Sequence, residues 1–137
     1  MRLISRLTIR CFSAGGSCHS FGESVNFKLQ PQNFPLTQGC VSGTIDDMIA
    51  GGALRMPNHI KIDVDGIEHK VVGGALRTLE NPALRSLIIE TNPALIEHRQ
   101  MISMLKQFGF ALDHHQIARA TRADGPFKGV AEHVFRR

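Results

Sequence analysis

The segment from His59 to Glu90 constrains the fold of this chain more than any other. Ile60, Ile62 and Val64 alternate with Lys61 and Asp63, the period of a half-buried strand. Asp65-Gly66-Ile67-Glu68 follows, with acidic residues three apart, a helix-start pattern. Ile67, Val71, Ala75 and Leu79 then fall on one stripe, which predicts a helix ending at Asn81-Pro82. Ser86 to Ile89 is a continuous run of the kind found in parallel strands covered on both faces. Asp63 and Glu90 would stand at the carboxyl ends of the two strands, where open α/β sheets place their chemistry.

The flanking sequence extends the pattern. Thr44 with Asp47 predicts a capped helix ending at Gly51-Gly52, and Asp46 and Asp47 suit its positive end without a catalytic role. Asn92-Pro93 reads as the cap and first residue of a third helix, with Ile102 and Leu105 inward and Gly109 as its stop. Phe110 to Leu112 and Val130 to Phe135 predict two closing antiparallel strands joined by a hairpin loop. Upstream, Leu7 to Phe12 alternates weakly, Ser13 to Ser17 reads as a loop, and 22–39 reads as irregular with a short strand near Val25–Phe27. The expectation is one partial domain over 1–137, irregular over 1–43 and regular α/β over 44–137. The order strand–helix–strand–helix–strand–strand describes the second half of a doubly wound sheet, with helices on two faces.

Composition excludes several function classes. Tyr and Trp are absent, which argues against an aromatic groove for stacking bases. The net charge of +4 is spread without a run of five like charges, so no nucleic-acid partner is expected. Cys11, Cys18 and Cys40 are odd in number and form no CxxC pair, so neither a zinc site nor a disulfide framework is expected, and a reducing, cytoplasmic setting is the simpler reading. Arg6 and Arg10 interrupt the N-terminal apolar residues. No signal-peptide core follows and no run reaches membrane-spanning length, so no membrane partner is expected.

Asp63 is the first candidate for chemistry. A carboxylate at a strand end could take a proton from a hydroxyl or ligate a divalent cation. Lys61 points to the same side, so a plain Lys61–Asp63 ion pair explains the pattern equally well. Capping accounts for Asp65 and Glu68 without a further role. Gly15-Gly16 lacks the surroundings of a phosphate loop. His19 and Ser20, just beyond it, are expected to be exposed, as are His114 and His115, which lack a third partner at metal-ligand spacing. Cys18 has no activating partner beyond adjacent His19, and no metal site is expected.

These residues resemble a known family. Thr44-Ile45-Asp46-Asp47-Met48, Ile60-Lys61-Ile62-Asp63-Val64-Asp65-Gly66 with Glu68, Val72-Gly73-Gly74-Ala75, Leu87-Ile88-Ile89-Glu90 and Glu132-His133-Val134-Phe135-Arg136 look like the C-terminal half of FkbM-type methyltransferases. The segments Ala14 to Ser17 and His19 to Gly22 resemble a loop upstream of that half. Asp65 stands where Glu is common. The resemblance implies a Rossmann-like, mostly parallel sheet with an antiparallel last strand. It also implies S-adenosylmethionine as cofactor and a small-molecule or glycan hydroxyl as acceptor. Asp63 would flank that hydroxyl as base or cation ligand, Lys61 and Glu90 would shape the cleft, and His19 and Ser20 would lie on the substrate side. The family's strand and glycine-rich turn for the cofactor have no counterpart here, so the chain is expected to be truncated before that motif. The alternative expectation is a non-catalytic module that self-associates through an exposed sheet edge.

Overall fold

A computed structural model describes the backbone of residues 5–9 and residues 20–137. Strands β1 (Ser5–Ile9), β2 (Ser20–Phe21) and β3 (Leu36–Cys40) form a three-stranded antiparallel sheet in the order β2-β1-β3. The segment expected to be irregular thus contains a sheet. Four of the five β3 residues are exposed, so no hydrophobic alternation marks it; pairing with β1 makes it a strand. Of the strand expected over Leu7 to Phe12, Arg10 to Phe12 lie outside the described residues, as do the Ser13–Ser17 loop, Cys11, Cys18 and His19. Val25 forms only an isolated bridge to Pro31 where a short strand was expected. Between them the Asn26 side-chain oxygen accepts the N–H groups of Lys28 and Gln30, closing a turn around Phe27.

Helix α1 (Ile45–Ala50) starts as expected, with the Thr44 hydroxyl accepting the Asp47 N–H at 3.0 Å. Asp46 does more than meet its own helix dipole. Its carboxylate accepts the N–H groups of Arg77 and Thr78 and the Thr78 hydroxyl, at 2.9, 2.9 and 2.6 Å. Strand β4 (His59–Ile62) is followed by α2 (Glu68–Gly73) and α3 (Leu76–Glu80), so Asp46 caps α3 from another helix. The single helix expected from Ile67 to Leu79 is therefore broken at Gly73-Gly74. Glycine weakens a helix interior, and a Cβ at Gly74 would lie 3.2 Å from the Thr44 side chain. The break turns Val72 rather than Val71 into the core.

Strand β5 (Ser86–Thr91), helix α4 (Ile96–Gln107), strand β6 (Ala111–Leu112), helix α5 (His114–Ala120) and strand β7 (Ala131–Arg136) complete a mixed four-stranded sheet in the order β4-β5-β7-β6. β4 and β5 are parallel neighbours, while β7 runs antiparallel to β5 and β6. Three of the four strands therefore point one way. The α/β class and the antiparallel closing pair agree with expectation, but the hairpin loop contains α5. His114 and His115 are exposed on its first turn. Gln116 donates to the Glu132 carbonyl and accepts the Val134 N–H, so its amide covers the β7 edge that short β6 leaves open. α4 starts later than Asn92-Pro93 predicted: Asn92 instead closes a turn by accepting the Ala94 N–H. Gly109, at φ +84°, ends it as expected.

The buried residues of β5 and β7 all lie on one face. There Ile62, Leu87, Ile89 and Phe135 pack with Val72, Leu79, Met101, Leu105 and Phe110. On the other face Ile88, Glu90, Glu132 and Val134 are only partly covered and Lys61 is exposed. The expectations of helices on both faces, and of a β5 covered on both, do not hold among the described residues. β4 is an edge strand with β5 as its one described neighbour.

Candidate functional site

The register assembles the site. Ile62 aligns with Ile89, so the next pair along is Asp63 beside Glu90, and Glu90 aligns in turn with Glu132 on β7. These three acids and Lys61 belong to the partly open face, since side chains two apart in a strand share a side. The helix start beyond Asp63 adds Glu68. Carboxylate oxygens of Asp63, Glu68 and Glu90 lie within 4.8 Å of one another. Lys61 stands beside the row, with its Nζ 2.6 Å from Glu132 Oε1 and 3.5 Å from Asp63 Oδ2. Asp63 thus stands beside Glu90 at the sheet end and also pairs with Lys61.

Glu68 departs most from expectation. It is fully buried, the N-cap of α2 is Ile67 rather than Asp65, and Asp65 stands at φ +57°. The Glu68 carboxylate accepts the N–H groups of Val64 (2.9 Å) and Gly66 (3.0 Å). His98, also buried, lies against it with Nε2 3.3 Å from Oε2. The Asn92 N–H donates to His98 Nδ1 at 3.0 Å, which leaves the ring proton on Nε2, where it is donated to the Gly66 carbonyl at 3.0 Å. Burial works against the Glu68 charge, but the hydrogen bonds from His98, Val64 and Gly66 prevail and hold its pKa below the ordinary value.

Glu90 is shifted the other way. Burial raises its pKa, and Asp63, Glu68 and Asp65 add to the effect. Arg122 opposes them, with its Nη2 3.0 Å from Glu90 Oε1. The Arg122 guanidinium lies 5.3 Å from the Phe127 ring centre, and Phe127 packs on Phe27 at 4.5 Å. Two distant loops thus roof the buried end of the cluster. Beneath them, between Glu68, Glu90, His98, Phe27 and Phe127, about 10 Å³ remains, close to the lower limit for one water.

Ser20 is not the exposed loop residue expected. It is buried, and its hydroxyl donates to the Glu23 carbonyl, tightening a turn. His19 lies outside the described residues. Next to Ser20, a groove of about 610 Å³ runs between Phe21, Glu23, Thr44, Ile67, Lys70 and Val71. Helix α2 separates it from the cluster, since Lys70 and Val71 face the groove while Glu68 is buried among the acids.

Chemically, the three carboxylates offer an all-oxygen donor set, suited to Mg²⁺ or Ca²⁺ rather than to zinc. No metal-ligand spacing in the sequence announced it, because the donors come from two strand ends and a helix start. His98 gave a faint signal: it precedes Met101 and Leu105 by three and seven residues, a polar residue on an apolar stripe. Arg122, Phe27 and Phe127 gave none, since loops far apart in the chain bring them together. Among the described residues no helix is long and apolar enough to cross a membrane. No protein-family model matches the chain, and no curated protein or solved structure matches it significantly.

Proposed function

We propose that this chain is the acceptor-side portion of an FkbM-type, S-adenosylmethionine-dependent methyltransferase domain that modifies a hydroxyl of a sugar or secondary metabolite. The observation that carries the reading is the convergence of Asp63, Glu68 and Glu90 at the carboxyl ends of neighbouring parallel strands. The parallel β4–β5 pair, with antiparallel β7 beside β5, supports reading the sheet as the later half of a Rossmann-like fold.

On this reading Asp63, about half exposed, faces the acceptor hydroxyl and takes its proton or ligates a cation beside it. Glu90, the more sheltered acid, forms the inner wall with Arg122 as counter-ion. Lys61 keeps the rim from becoming purely anionic.

The residues present do not fit the cofactor on their own. Among the described residues no strand and no glycine-rich turn flank the outer side of β4, so nothing cradles an adenosine or a methionine moiety. On this reading a cofactor-binding portion is supplied from elsewhere. The test uses the product of the complete reading frame containing these residues, with labelled S-adenosylmethionine and a panel of hydroxylated acceptors. Transfer that D63N reduces at least tenfold is the expected result. Calorimetry showing no cofactor binding at millimolar concentration, together with no labelled product, would overturn it.

One observation favours a second reading, a non-catalytic module that pairs through a sheet edge: β4 has one described neighbour. A well-folded protein that light scattering finds strictly monomeric removes the reason for it.

A further inference from the structure

The turn joining β4 to α2 adopts a conformation that side-chain-bearing residues resist. Asp65 has φ +57° and Gly66 +108°, two positive values in succession. The turn is also crowded, since a Cβ at Gly66 would lie 2.9 Å from the Phe27 carbonyl oxygen. Such geometry persists only where the surroundings over-determine it. Here the surroundings are two buried side chains. Glu68 accepts the N–H groups on either side of Asp65, those of Val64 and Gly66. His98 donates to the Gly66 carbonyl and accepts the Asn92 N–H. Val64 directly follows Asp63, and Asn92 lies two residues beyond Glu90. One carboxylate–imidazole couple therefore grips the main chain just past both acid-bearing strand ends, and α4 carries the imidazole.

We propose that Glu68 and His98 are positioning residues that set the approach of Asp63 to Glu90. The inference takes the acid cluster as the reacting site of the function proposed above. His98 acts through the main chain: it bonds the backbone beyond each strand end. A purely stabilising couple would lower the melting temperature on replacement yet leave the spacing of Asp63 and Glu90 in the folded protein where it was.

The experiment compares crystal structures of wild type, H98A and H98N, with amide hydrogen exchange at Asn92 on the same proteins. In H98A the Asp63 and Glu90 carboxylates are expected to separate beyond 4.8 Å, with Asn92 exchange faster by about tenfold, the scale of one hydrogen bond. H98N, which offers a side-chain amide at shorter reach, is expected to restore part of both. A folded H98A with the wild-type Asp63–Glu90 spacing overturns the proposal. If H98A does not fold, H98N and H98Q decide: lost Asn92 protection with an unmoved spacing overturns it, and a widened spacing supports it. None of these readouts involves activity, so the couple is judged apart from methyl transfer. In an active complete protein, H98N is expected to lower kcat several-fold with the KM for cofactor unchanged.

Discussion

Two acids five residues apart, Asp63 and Glu68, show how differently one turn can use the same chemistry. Asp63 is about half exposed, and its described ion-pair partner is the exposed ammonium of Lys61. Glu68 is fully buried and held by backbone N–H groups and His98. Water screens the first and leaves it free to meet a ligand. The second has lost its hydration and must be satisfied by fixed dipoles, which makes it part of the framework. The two faces of the sheet repeat the contrast. One is dry and closed by helices; the other carries Lys61, Asp63, Glu90 and Glu132. The buried core and the charged side chains are divided between the faces.

That division predicts a graded response to substitution. Phe135→Ala, on the closed face, is expected to cost about 3–5 kcal/mol in denaturant unfolding, because a fully buried ring leaves a cavity. Glu68→Ala is expected to cost about 3 kcal/mol, since it strands the N–H groups of Val64 and Gly66 and removes the carboxylate that lies against buried His98. An E68A protein as stable as wild type would place Glu68 with Asp63 rather than with the core. Asp46→Ala, which uncaps α3 from α1, is expected to cost about 1 kcal/mol by the same measurement. Lys61→Ala is expected to leave the unfolding midpoint unchanged and to alter only salt-dependent behaviour at the acid rim.

The same contrast governs pH. The folded pKa of Glu68 lies below its ordinary 4.5, so its contribution is complete above pH 4.5. As pH falls further the unfolded chain takes up the proton first, and the contribution declines until the folded value is passed. Glu90 has the opposite sign: its folded pKa is raised, so it takes up a proton in the folded state first and stability gains as pH falls. Unfolding free energies measured from pH 6 to pH 3 are expected to fall less steeply in E68Q than in wild type. An unchanged slope would show that Glu68 carries no linked proton.

The fold was legible where local pattern and tertiary packing agree. Ile60 and Ile62 alternate because β4 presents one covered side, and the Thr44 cap acts within four residues. Other features were illegible for identifiable reasons. β3 is mostly exposed and owes its state to β1. The Gly73-Gly74 break is completed by Asp46 of α1, which accepts the Arg77 and Thr78 N–H groups from outside the segment. At the site, Asp63, Lys61 and Glu90 are strand-end residues and were readable from spacing. Glu68 was seen but read as an ordinary cap, because a helix-start acid looks alike in sequence whether solvent or a buried imidazole completes it.

The amino-acid order alone was enough to specify the α/β alternation, the parallel pair around Asp63 and Glu90, and the antiparallel close of the chain. These depend on periodicity and turn chemistry acting over a few residues. Tertiary structure alone decided that one sheet face is sealed, that Glu68 sits against His98, and that Arg122 reaches Glu90. Burial and hydrogen-bond satisfaction are properties of neighbours in space, and these neighbours lie about thirty residues apart along the chain.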